Sequence, residues 1–152
     1  MSYEQKNIIV QIGVSLLIWV IYGVVMQRLI GEGYFDGPDQ LKLLGRAMLM
    51  FIPASIVGTI IGTILFHILY AIATNDPAPD FSSDERDKMI SIRGMQVTMV
   101  VASTGFILGC VALALGSSAF LVFNIILIGF GLGDLMGNIT KLWMYRGGFV
   151  HG

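Results

Sequence analysis

Four long oily stretches constrain this chain more than any other feature: residues 8–30, 47–72, 95–115 and 120–143. Each reaches the roughly 20 apolar residues that a helix needs to cross a hydrocarbon layer about 30 Å thick. None carries the polar face of a helix lying on a soluble core, and none alternates with the period of two that marks a half-buried strand. Charged residues make up only 12% of the 152, against 55% hydrophobic, which is about half the charge of an ordinary soluble domain. The expectation is an all-α integral membrane protein. It is a single transmembrane domain over 1–152, a four-transmembrane-helix bundle with a loop at 75–88.

The ends of the spans are marked. Gly31 and Gly33 stop the first, and Pro38 and Asp39 start the second with Asp39 as its cap. Ser82, Ser83, Asp84 and Glu85 read as a capping box for the third, with Ser82 as cap and Glu85 reaching back. Gly116, Ser117 and Ser118 form a short turn, which makes the third and fourth helices antiparallel neighbours. Gly147 and Gly148 end the fourth. Helix three, starting near Ser83, overruns its apolar part by about 18 Å. The first span is too long for a cleaved signal peptide and no lipidation motif stands out.

Lysines and arginines concentrate on the cytoplasmic side of membrane proteins. Lys6, Arg86, Lys88, Arg93, Lys141 and Arg146 share one side, against Arg28, Lys42 and Arg46 on the other. This places both termini and the 75–88 loop in the cytoplasm.

Helices in lipid pack through small residues, because apolar burial gives no preference for protein over lipid tails. Gly129, Gly133 and Gly137 make a ridge on helix four, Gly58 and Gly62 on helix two, and Gly105 and Gly109 on helix three. The ridges suit packing within the chain or a dimer seam, with the first preferred. Pro53 takes a backbone bond from Leu49 and predicts a packing kink. Trp19, in mid-helix, is expected to pack against a glycine ridge, with a lipid or ligand cavity as the alternative.

An ionisable side chain inside a membrane is costly and needs a partner or a purpose. Asp134 is the clearest case. Asn138 and Lys141 follow it at helical spacing, and His67, Arg93 and Gln96 sit at similar depth on other helices. The expected cluster is Asp134, Arg93, His67, Gln96 and Asn138. It serves either as an Asp134–Arg93 salt bridge fixing helices three and four, which is preferred, or as a proton or cation site. On the opposite side, Arg46 is expected to reach Glu32 or Asp36.

The segment Asp84, Glu85, Arg86 and Asp87 is a candidate docking surface for a cytoplasmic partner, although acids in a first helical turn also complement the helix dipole. No EF-hand spacing is present. One cysteine, Cys110, and two histidines, His67 and His151, offer no disulfide, haem or zinc ligand set, so no metal or cofactor is expected. No basic run suggests nucleic acid, and the net charge is -1. No Ser–His or paired-carboxylate arrangement for acid–base catalysis stands out in the spans.

Two segments carry a resemblance. Asp84, Glu85, Arg86 and Asp87 lead through Ile90 and Ile92 to Arg93 and Gly94. The chain then ends with Lys141, Leu142, Trp143, Met144, Tyr145, Arg146 and Gly147. The second half thereby resembles an uncharacterised family of small prokaryotic four-helix membrane proteins, which share an acidic start to a late span and an aromatic-Tyr-Arg-Gly tail. The resemblance implies a prokaryotic inner membrane and, for some members, companionship with helix-turn-helix regulators. It implies no activity.

The functional expectation is a non-enzymatic membrane component: an accessory subunit, scaffold or sensor, in contact with the lipid bilayer and with a protein partner or further copies of itself. The alternative is a small oligomeric proton- or cation-coupled transporter or channel using Asp134.

Overall fold

The computed structural model describes residues 3–74 and 84–147. The described residues fold into four α-helices: α1 (Tyr3–Gly31), α2 (Gln40–Thr74), α3 (Glu85–Ala114) and α4 (Ala119–Tyr145). All four are long and apolar enough to cross a membrane. The helices extend beyond the apolar stretches, because polar residues such as Gln5 and Lys6 continue α1 and Gln40 to Arg46 open α2.

The expected Ser82 cap lies outside the described residues, and the structure gives the capping role to Asp84. The Asp84 carboxylate accepts from the Arg86 amide at 3.3 Å, and Asp87 returns the bond by accepting from the Asp84 amide at 3.2 Å. An aspartate three residues on does the work expected of Glu85, whose own carboxylate meets Lys88 at 3.3 Å. The turn between α3 and α4 is short. It passes through Gly116, at φ +85, a conformation a side chain would oppose. Ser118 then caps α4 by accepting from the Leu121 amide at 3.3 Å.

The helices are arranged as an open set. α3 packs against α4 in the most extensive seam, α1 packs against both α2 and α4, and α2 touches α4 lightly. Among the described residues, α3 has no helix packing with α1 or α2. The α3–α4 seam is made of glycine. A methyl group built on Gly105 would meet the Gly129 backbone at 2.6 Å, and one built on Gly133 would meet the Thr98 carbonyl at 2.8 Å. Gly137 lies against Thr98 and the Gly94 carbonyl, and Gly109 against Ile126. In the α1–α2 seam Val14 fills the space over Gly62 and Ile18 approaches Gly58. Lys6 continues the same register by placing its ammonium over the Tyr70 ring, 4.9 Å from its centre.

The buried core is small and sits at the end away from the termini. Tyr22, Met26, Phe35 and Leu44 form it, with Trp19, Phe51 and Phe120 packed around them. Most large apolar side chains face outward. On α2, Leu49, Met50 and Ile72 are 72%, 75% and 73% exposed, and none of the most apolar stretch of that helix is buried. Arg28 pairs with Glu32 at 2.8 Å. Arg46 lines a mostly apolar cavity between α1 and α2 instead of meeting Glu32 or Asp36.

Candidate functional site

The gap left where α2 barely meets α4 is a cleft of about 340 Å³, closed on its third side by α1. Its position follows from the register of α1 against α4, which run antiparallel. Three hydrogen bonds fix that register. The Gln5 amide donates to the Tyr145 carbonyl at 3.1 Å, the Ser15 hydroxyl to Asp134 at 2.8 Å and the Tyr22 hydroxyl to Asn124 at 2.7 Å. Between the last two, the Trp19 indole lies flat on Gly131, leaving no room there for a β-carbon. Trp19 thus packs on a glycine outside the Gly129–Gly133–Gly137 ridge, which faces α3, and it also lines the cleft.

Asp134 opens into this cleft from α4, eleven residues before Tyr145 and so about 16 Å along the helix. One carboxylate oxygen accepts from Ser15. The other accepts from the Asn138 amide at 3.3 Å. Asn138, itself buried, accepts in turn from the Lys141 ammonium at 3.4 Å. Lys141, Asn138, Asp134 and Ser15 thus form one chain of hydrogen bonds crossing from α4 to α1. The two donors to the carboxylate are neutral, and among the described residues no cation lies within ion-pair distance of Asp134.

The expected cluster is therefore divided. Asp134 and Asn138 come together. Arg93 donates to Gln96 at 3.3 Å on α3, where both line a separate surface groove with Trp143. His67 sits on α2 beside the Phe66 ring and outside the residues lining the cleft. Ser15 is a partner that the sequence did not single out. A usable signal was present: Gln11 and Ser15 stand four residues apart on one face of α1, and both line the cleft.

The cleft has a polar approach and an apolar floor. Toward the termini, Gln11 also lines a second, more polar cleft of about 490 Å³ between the starts of α1 and α3 and the end of α4. Glu4, Lys88 and Lys141 line that cleft, and Asn7 lines it too, with a buried amide oxygen that has no partner. On the far side, Trp19, Tyr22 and Phe51 stack closely, with Tyr22 and Phe51 centred 4.7 Å apart. Polar groups thus lie on the side of the cleft nearer the termini and an aromatic wall on the other.

Of the docking candidates, Asp84 and Glu85 are exposed and Asp87 is half-buried, but the three carboxylates are engaged locally. Asp84 and Asp87 cap α3, Glu85 meets Lys88, and Asp87 also accepts from the Tyr145 hydroxyl at 2.7 Å, which ties α3 to the end of α4. Arg86 is exposed. No protein-family model, curated protein or solved structure matches this chain.

Proposed function

We propose that this chain is a non-enzymatic membrane protein whose working part is a cation site at Asp134, a proton included among the cations. The observation that carries the reading is an exposed carboxylate on an open-sided cleft between apolar helices, with only neutral donors on it. In hydrocarbon an acid of this kind costs about 2.5–3.5 kcal/mol on insertion scales unless something offsets it, and a bound cation offsets it directly. The outward-facing Leu, Ile and Met side chains of all four helices support the bilayer as solvent. The excess of lysine and arginine at the terminal end supports a cytoplasmic placement of that end, so the polar approach to Asp134 opens toward the cytoplasm.

The accessory-subunit reading through Asp84 to Asp87 has less support, because two of those carboxylates already serve the start of α3. The test is carbon-13 NMR of aspartate carboxyls in bilayer nanodiscs, with the Asp134 resonance identified by its loss in Asp134→Asn. The resonance should move when acid, sodium or potassium is added. A signal indifferent to all three rejects the site.

A further inference from the structure

Resting on that reading of Asp134, the make-up of the cleft narrows the kind of cation. We infer that it binds a monovalent organic cation, a quaternary or bulky ammonium with a small aromatic or aliphatic body. Its charge lies against Asp134 and its body between Trp19, Phe51 and Phe130.

Four observations converge. The cleft, at about 340 Å³, is far larger than a bare ion fills and lies at the lower end of the range for small-molecule sites, about 300–1,000 Å³. It offers one carboxylate, and among the described residues no three acid, histidine or cysteine side chains come together as a metal ion would want. Three aromatic side chains line it, and aromatic faces attract cations that shed their water readily. Finally, the hydroxyls have already given away their protons. Ser15 donates to Asp134, Ser55 to the Ile52 carbonyl at 2.7 Å and Thr59 to the Ser55 carbonyl at 2.9 Å. These groups show lone pairs to an occupant. One negative charge, π faces and acceptor oxygens complement a cation with a greasy body and repel an anion.

The chain has two tryptophans, and Trp143 lies on the separate groove with Arg93. Trp143→Phe therefore leaves Trp19 as the sole indole reporter inside the cleft. In detergent micelles, benzyltrimethylammonium should change Trp19 fluorescence saturably, while neopentylbenzene, the same shape without charge, should not. In the Trp143→Phe background, Asp134→Asn should weaken binding roughly thirtyfold or more, as expected for removing one partner of a charge pair held between apolar helices. Asp134→Glu, which keeps the charge, should retain most of it, and circular dichroism establishes that each variant is folded. Equal binding by the Asp134→Asn variant, or equal response to the neutral isostere, overturns the inference. So does a carboxyl resonance of Asp134 that moves with potassium or acid while benzyltrimethylammonium leaves both it and Trp19 unchanged. In that outcome the cation site itself survives. If the resonance answers to nothing, both readings fall.

Discussion

Gly105→Ala is the sharpest probe of how the two halves of the molecule hold together. The added methyl carbon would stand 2.6 Å from the Gly129 α-carbon, with the carbonyl carbon and amide nitrogen of Gly129 at 3.5 Å. Carbon atoms prefer about 3.5–4.0 Å, so α3 and α4 must part by about 1 Å. The obstacle is backbone and cannot rotate aside. Overpacking of this kind costs about 1–3 kcal/mol, offset by about 0.5–1 kcal/mol from replacing glycine by alanine within a helix. The net is a loss on the order of 1–2 kcal/mol. No other helix pairing holds α3 in place among the described residues. The assay is unfolding of the micellar protein by increasing dodecyl sulfate, followed by far-UV circular dichroism. Gly13→Ala is the control, because nothing lies within 4 Å of a methyl group there, and it should be neutral or slightly stabilising. A Gly105→Ala midpoint equal to that of Gly13→Ala would refute the close glycine contact as the basis of the seam.

Further outcomes are expected at the terminal end. Tyr145→Phe removes the hydroxyl that Asp87 accepts at 2.7 Å. It should weaken the tie between α3 and α4 by about 1 kcal/mol, read as faster amide exchange over residues 85–88. Asp84→Ala removes the cap of α3 and should cost about 1 kcal/mol locally, seen as loss of protection at the Arg86 amide. If Arg86 exchanges at its wild-type rate in that variant, the reciprocal Asp84–Asp87 pairing does not hold the first turn.

The four helices were legible because apolar length is a one-dimensional property. The α3–α4 hairpin was legible too, since Gly116, Ser117 and Ser118 leave room for nothing but a tight reversal. The direction in which each side chain faces was another matter. Helices that are oily on every side have no polar stripe to say which face looks inward, so placing Arg93 level with Asp134 gave depth but not azimuth. Arg93 turns to Gln96 on the outer side of α3, and Asp134 turns the other way, toward α1. The same lack of direction hid Ser15. The cap of α3 was misplaced by two residues because Ser82, Ser83 and Asp84 are all good caps, and only the return bond from Asp87 distinguishes them.

The light touch between α2 and α4 has a mechanical consequence. One wall of the Asp134 cleft is a 35-residue rod whose main attachment is to α1, through Val14 on Gly62, Ile18 beside Gly58 and the core where Leu44 and Phe51 meet Tyr22 and Met26. Moving that rod outward would leave the glycine weld between α3 and α4 and the three polar rivets between α1 and α4 intact, but would draw Leu44 and Phe51 out of the core they share with Tyr22 and Met26. The molecule is therefore joined through α1 on one side and left parted between α2 and α4 on the other, and that parting is where the acid faces.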